Sequence, residues 1–532
     1  MRKIIFLLLP LLLFSCKAKQ QTEQEKFVQS RNEVLNRHRP LIHNNDGDDH
    51  VFSGFIPSEF SIQKFLNTRS SRIIGTDATT LSYCTNRSFS LHLHDTKVGE
   101  CYTEDYYLPQ RKNIVSELIK MGTDPLEVTA NFAHENGLEF FWSHRMNDTH
   151  DAAHRLDNPH PQWNQFKEEH PEYLFGAIAE RIPHGNWSAV DYSHQEVRDL
   201  CVQYFTEVCE NYNVDGIEMD FFRHPQLFKN VGQGGIATQE QLIMLTDMVN
   251  QIREMTQRVG QEKGKPILVL ARVPDSHEYC RRIGIDLEEW MEKGLIDIVV
   301  GGGYYRLNPW NYLVEEGKKH GVKVYADFSE SRVNNEHPYL IRNQSAVYRA
   351  RAAAAWQSGV DGIYSFNDFN LGRQHFKEIG YPEKLKGTNN LYFVTYRNGN
   401  PNSYLNNGRA HLNMPMVSPD NQNSLQDPLE FFVEIGDERN PARVFVILYT
   451  KNVNPENLEV SMNKNSAALK NSTNDGLVIF EVTTNMVLQG ENELAIKYNS
   501  SGGNPTLLDA AILFSRYPDE PALQSLIAVC TN

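Results

Sequence analysis

The chain has 532 residues, 40% of them apolar and 22% charged, which is more than a single core accommodates and points to two domains or three. Its net charge of −15 excludes nucleic acid as the natural partner, because phosphate binding needs clustered Lys and Arg. It also disfavours highly anionic polymers and leaves neutral glycans open. Aromatic residues reach 11%, enough to offer flat faces to sugars or to fill a large core.

At the N-terminus Met1-Arg2-Lys3 is basic, and Ile4 to Phe14 is an apolar run broken only by Pro10. The run is too short to span a bilayer and reads as a signal peptide over residues 1–15. Leu13-Phe14-Ser15-Cys16 resembles a bacterial lipobox, in which Cys16 becomes the lipidated N-terminus after cleavage. The alternative is a plain signal peptide with a chance cysteine. Lipidation of Cys16 would tie the protein to a membrane of the bacterial cell envelope, periplasmic or at the cell surface. Residues 16–38 are polar and read as a tether.

Six further cysteines remain: Cys84, Cys101, Cys201, Cys209, Cys280 and Cys530. They form no CxxC pair, so neither a zinc ribbon nor a dithiol redox site is expected. Cys201 and Cys209 lie on the apolar stripe of one expected helix and read as core.

Residues 39–385 alternate short apolar runs with helical segments, the pattern of a parallel sheet with crossover helices. Eight strands are expected, at Leu41–Asn45, Thr79–Cys84, Leu138–His144, Val214–Phe221, Ile267–Arg272, Ile296–Val300, Val322–Asp327 and Val360–Phe366. Eight over this length suit an α/β fold of the (β/α)8 TIM-barrel type with insertions. A doubly wound open sheet is the rival, weakened because no GxGxxG or P-loop follows any strand. Thr123-Asp124-Pro125 opens one helix and Gly137 closes it. Ser193-His-Gln-Glu196 matches a capping box for the helix before the fourth strand. The loop from about Arg145 to Tyr192 is long, as loops on the catalytic face of such barrels are.

Past Lys386 helical periodicity fades. Apolar runs at Leu429–Ile435, Val444–Tyr449, Leu458–Met462, Leu477–Val482, Glu493–Tyr498 and Leu507–Phe514 predict an all-β sandwich over residues 386–532.

The fourth strand carries the chemistry. By its two-residue period, Ile217, Met219 and Phe221 share one face, while Gly216, Glu218 and Asp220 share the other and point into the barrel. Two carboxylates there are costly unless paired or used. Other strand ends add polar groups: Asp46 and Asp48 after the first; His144, Arg145, Asn147 and Asp148 after the third; Arg223 and His224 after the fourth; Arg272 on the fifth. Tyr304, Tyr305 and Trp310 follow the sixth strand, Asp327 and Glu330 end the seventh, and Asn367 and Asp368 follow the eighth. Glycoside hydrolysis needs two carboxyl groups flanking the bond, and strands four and seven could supply one each. Trp142, Tyr304, Tyr305 and Trp310 could stack on sugar rings. No cofactor and no metal site is expected.

Asp215-Gly216-Ile217-x-x-Asp220, preceded by Asp191-Tyr192-Ser193 and Val197-Arg198, resembles the family-10-like glycoside hydrolases. So does Asp124-Pro125-Leu126 followed by Ala133-His134-Glu135-Asn136-Gly137-Leu138-Glu139. The resemblance covers roughly Arg39 to Lys386. It implies a barrel related in design to the amylase-type enzymes, a carbohydrate substrate, and a catalytic aspartate at Asp220. Many relatives carry two adjacent acids there, whereas here Phe221 follows Asp220 and Glu218 precedes it, so Glu218 could take over a carboxylate role.

Three functions are therefore open: a glycoside hydrolase, a glycan-binding lipoprotein without catalysis, and a metal-dependent hydrolase suggested by His92-x-His94, a pair of the kind that can hold zinc. The first rests on the most residues.

Overall fold

A computed structural model of the chain describes residues 23–52, 60–103, 113–329, 333–396, 399–438, 442–500 and 502–531. Cys16 and the signal segment lie outside the described residues, and so does Glu330.

Eight parallel strands close into a barrel: β1 (Leu41–Asn45), β2 (Ala78–Cys84), β3 (Glu139–Arg145), β4 (Gly216–Asp220), β5 (Leu268–Val273), β6 (Ile298–Gly301), β7 (Lys323–Ser329) and β8 (Gly362–Phe366). Each pairs with its sequence neighbours, and β8 closes on β1. All eight expected strands are present, with ends shifted by a residue or two. The lower interior is filled by Ile42, Phe141, Leu268, Leu270, Ile298, Val300 and Tyr325. Glycine makes room for the aromatic members. A Cβ on Gly216 would stand 2.8 Å from the Phe141 ring, and one on Gly362 would stand 2.4 Å from the Tyr325 ring.

The expected tether is corrected in part. Helix α1 (Glu23–Leu35) packs under the barrel floor rather than trailing free, and Val34 joins the inner cluster. Arg31 and Arg253 both grip Asp297, at the foot of β6. Arg39 joins this end of the chain to β3 through Glu139, with Nη2 to Oε1 at 2.9 Å. A polar composition concealed the helix because few of its residues are apolar; the pairing of Arg31 with Asp297 and the burial of Val34 dock it.

Helix α2 (Pro125–Glu135) is capped as its sequence dictates: Asp124 Oδ1 accepts from the Glu127 amide at 2.9 Å, and Gly137 ends it at φ +73°. The capping box before β4 does not form. Helix α3 (Gln195–Asn211) has His194 at its N-cap without a side-chain cap bond. Asp191 Oδ1 instead accepts from the Ser193 amide at 3.0 Å, and Arg198 holds the Tyr192 carbonyl at 2.5 Å, so the entry turn is fixed from both sides. Cys201 and Cys209 are fully buried in the outer core, and the six described cysteines are all free thiols.

Beyond the barrel lie two antiparallel sheets. The larger has the order β9-β16-β11-β14-β13: β9 (Asn390–Phe393), β11 (Arg443–Lys451), β13 (Ala468–Ser472), β14 (Leu477–Val482) and β16 (Thr506–Ser515). The smaller contains β10 (Leu429–Ile435), β15 (Gly490–Tyr498) and β12 (Leu458–Met462). The six strands anticipated from residue 429 onward are all there; β9 and β13 were not anticipated. The centre of the larger sheet is buried on both faces. Val444, Val446 and Leu448 meet the smaller sheet's side, while Phe445 and Ile447 meet Ala346, Val347 and the C-terminal helix residues Leu526 and Ile527. Burial on both faces explains the unbroken apolar run of β11.

The barrel's last helix, α4 (Ser345–Gln357), is shared between the two parts of the molecule. It is buried almost all round, from Ala346 to Ala355. Its small side chains let the sheets approach closely: a Cβ on Gly436 would lie 2.4 Å from the Ala353 Cβ.

Candidate active site

The upper interior of the barrel is ionic. Glu218 and Asp220 point inward from β4, as the two-residue period requires, and both are buried. Register sets their neighbours: Ser143 stands beside Glu218, and Asp220 lies between Arg145 and Arg272.

Neutral groups hold Glu218. Its Oε2 accepts from Ser82 Oγ on β2 at 2.5 Å, and its Oε1 accepts from the Tyr364 hydroxyl on β8 at 2.6 Å. Burial, and then the nearby charge of Asp220, push the carboxyl up to about 7, against the opposing pull of Ser82, Tyr364 and Arg272. Asp220 is held by a cation: its Oδ1 accepts from Arg272 Nη1 at 2.8 Å and from the Phe222 amide at 3.0 Å. Arg272 also donates through Nε to Asp327 Oδ2 on β7 at 2.8 Å, with its guanidinium stacked 3.9 Å from the Phe366 ring centre. Strands four and seven are thus joined through strand five. Three buried donors in this region, Asn44 Nδ2, Ser143 Oγ and Arg272 Nη2, have no hydrogen-bond partner among the described residues.

A second ionic group forms the rim. Asp46 pairs with Arg69, Asp48 with Arg87, and Asp148 Oδ2 with Arg145 Nη1 at 2.7 Å. Arg223 donates to the Tyr304 hydroxyl at 2.6 Å and to His150 Nε2 at 3.2 Å. Asp148, His150 and His224 are close enough together to hold a metal ion. His150 already donates to Asp148, and the guanidinium groups of Arg145 and Arg223 adjoin the same atoms, which opposes a cation there. Burial tends to raise Asp148, but His150 and Arg145 outweigh it and hold the carboxyl well below its ordinary range. The long loop after β3 is locked by Lys167 and Asp151, both fully buried, at 2.7 Å.

Several expected sugar contacts are corrected. Trp142 and His144 face outward from β3, on the opposite parity to Arg145, and are fully buried against helix α3. Trp142 Nε1 is spent on Thr85 Oγ1 at 2.8 Å. Asn147 is buried and donates to the carbonyls of Val190 and Gln226, so it pins loops. Tyr305 is buried with its hydroxyl on Tyr279 at 2.7 Å. Asp368 turns to His375 and Arg373. Trp310 is 5% exposed and has Arg306 over its ring at 4.2 Å, so that face is already taken. Tyr304, His224 and Asn367 remain partly exposed at the mouth, and Asn367 sits at φ +57° where the chain leaves β8. His92 and His94 are wholly buried beside Tyr204 and Trp142, and among the described residues they are not part of the group placed closely enough to share a metal ion.

Ser82 and Tyr364, the donors to Glu218, were not singled out in the sequence. Inward parity on β2 and β8 is the signal that could have found them.

The acids of β4 and the loop after β3 fall in one segment, and that segment matches a family model. Residues 99–314 match the family described as Glycosyl hydrolase-like 10. The match to this family runs from the β2–β3 connection to the helix after β6, and so includes Glu218, Asp220 and Arg272. It agrees with the resemblance carried by the motifs around β4. No curated protein matches the chain at a significant level.

Among solved structures, a cycloisomaltooligosaccharide glucanotransferase from Paenibacillus sp. is 8% identical with a TM-score of 0.37, over 89% of this chain and 58% of that one. The PgaB (BpsB) glycoside hydrolase domain from Bordetella bronchiseptica is 9% identical with a TM-score of 0.41, over 65% of this chain and 99% of that one. The GH36 α-galactosidase AgaA from Geobacillus stearothermophilus is 11% identical with a TM-score of 0.36, over 90% of this chain and 59% of that one. The chain therefore spans less than two thirds of the length of the first and third of these.

Proposed function

We propose that the protein is an exported lipoprotein that hydrolyses glycosidic bonds of a polysaccharide or oligosaccharide at the upper face of its barrel. One observation carries this reading. Two carboxyl groups on one strand occupy opposite environments: Glu218 among neutral donors, Asp220 against a guanidinium. Unlike environments are how a site assigns one carboxyl as acid and the other as base or nucleophile.

In this reading Glu218 holds its proton near neutral pH and gives it to the leaving oxygen. Asp220, oriented by Arg272, attacks the sugar carbon or activates water. Asp327 positions Arg272. The unspent donors of Asn44, Ser143 and Arg272 suit sugar hydroxyls. The test is release of reducing ends from a panel of polysaccharides by wild type, Glu218→Gln and Asp220→Asn. Both variants should lose activity by at least about a hundredfold. Undiminished release by folded Asp220→Asn would sink the assignment.

A second reading, glycan binding without cleavage, is favoured by the engagement of Asp46, Asp48, Asp148, Asp220 and Asp327 with arginines. Saturable binding of a glycan that the wild type never cleaves would establish it in place of the first.

The envelope location rests on the lipobox at Cys16. Mass spectrometry should find a diacylglyceryl-modified Cys16 at the mature N-terminus. Unmodified protein released to the soluble fraction would refute the anchor. Among the described residues no helix is long and apolar enough to cross a membrane.

A further inference from the structure

A cleft runs between the barrel rim and the antiparallel sheets. Asp327, Trp310 and Arg351 line it from the barrel, and Tyr396, Phe432 and Glu434 from the sheets. Arg351 stands apart from the other buried arginines. Arg39, Arg87, Arg145, Arg272 and Arg342 each have a carboxylate partner. Arg351, 5% exposed, has only rings: Phe328 at 4.4 Å and Tyr348 and Tyr396 each at 5.4 Å from the guanidinium carbon. Among the described residues it makes neither a hydrogen bond nor an ion pair.

A buried guanidinium without a counter-charge is expensive, and such groups are retained where a ligand completes them. Burial pulls Arg351 below the ordinary arginine range, against the opposing influence of Tyr348, Tyr396 and Asp327. Asp327 acts on it only from a distance: no ion pair joins the two, and the Oδ2 of that carboxylate accepts from Arg272 at 2.8 Å. The other cation of the cleft, Arg306, is paired with Glu434. Among the described residues lining the cleft, Arg351 is therefore the cation left for a ligand. The fork of a guanidinium matches a carboxylate in two parallel hydrogen bonds. Across the cleft Phe432 is 52% exposed, a flat apolar face of the kind on which a sugar ring stacks.

We propose that this cleft is a subsite for a carboxylate-bearing sugar, a uronic acid, with its carboxylate on Arg351 and its ring against Phe432. The proposal takes the sugar from the glycoside hydrolase reading and the carboxylate from Arg351. The net charge of −15 bears on the ligand too: it repels a dense polyanion. Within the cleft such long-range repulsion is screened beyond roughly 8 Å at physiological salt, so isolated uronates among neutral sugars fit best.

Calorimetry on the full-length protein with glucuronate, glucose and the methyl ester of glucuronate tests this. Glucuronate should bind at least tenfold more tightly than glucose or the ester, and Arg351→Met should abolish the preference. Equal binding of the three sugars, or no binding of glucuronate, overturns the proposal on wild-type protein alone, whatever the variant's folding. A folded Arg351→Met that keeps the preference also overturns it. The two readings fail separately. Uronate preference without cleavage of any glycan defeats the hydrolase and leaves the subsite. Cleavage without uronate preference does the reverse.

Discussion

Asp220 and Asp327 stand on the fourth and seventh strands of the barrel, and one guanidinium joins them. Arg272 donates to Asp220 through Nη1 and to Asp327 through Nε, each at 2.8 Å. All three side chains are almost wholly buried. The bridge ties opposite arcs of the mouth together and fixes where Asp220 points.

Arg272→Met should therefore destabilise the fold strongly. It leaves two buried carboxylates without their cation, and breaking a buried pair this way costs about 3–5 kcal/mol. Urea denaturation measures it. A loss below about 1 kcal/mol would mean that the two acids find other partners.

Glu218 gives a pH signature. Its carboxyl is raised to about 7, above its value in the unfolded chain, so the folded state binds the extra proton. The resulting stability is complete below the unfolded value near 4.5 and is lost as pH rises through about 7. Glu218→Gln removes the titration. Wild type should lose roughly 3 kcal/mol relative to this variant between pH 4.5 and 8. Parallel stability curves for the two proteins would contradict the shift.

Gly436→Ala probes the junction between barrel and sheets. The added Cβ would fall 2.4 Å from the Ala353 Cβ and 2.6 Å from its backbone carbon, and neither can move without shifting a helix. A cost of about 1–3 kcal/mol is expected, read as a lower thermal midpoint. Ala353→Gly in the same chain should recover part of it.

Asp297→Ala tests the floor. It removes the acceptor of Arg31 and Arg253 and of the Val269 amide, freeing α1 from the barrel. Hydrogen exchange should then accelerate across residues 23–35, with a stability loss of about 3 kcal/mol. Unchanged exchange there would show that α1 is held by other contacts.

The period of the apolar residues alone set out the eight barrel strands and six strands of the antiparallel sheets, because strand burial writes itself into neighbouring residues. The same parity aimed Glu218 and Asp220 inward. Parity applied to β3 would have turned Trp142 and His144 outward, but their residue types suggested sugar contacts, and packing against α3 decided otherwise. Pairing was not legible. Asp220 meets Arg272 across neighbouring strands, Glu218 meets Ser82 and Tyr364 from two others, and Arg351 forms no ion pair among the described residues. Sequence determined which residues face the barrel interior, since that depends on adjacent positions. Only closure of the barrel and docking of the sheets determined which charges are answered there, since those partners lie up to 146 positions apart.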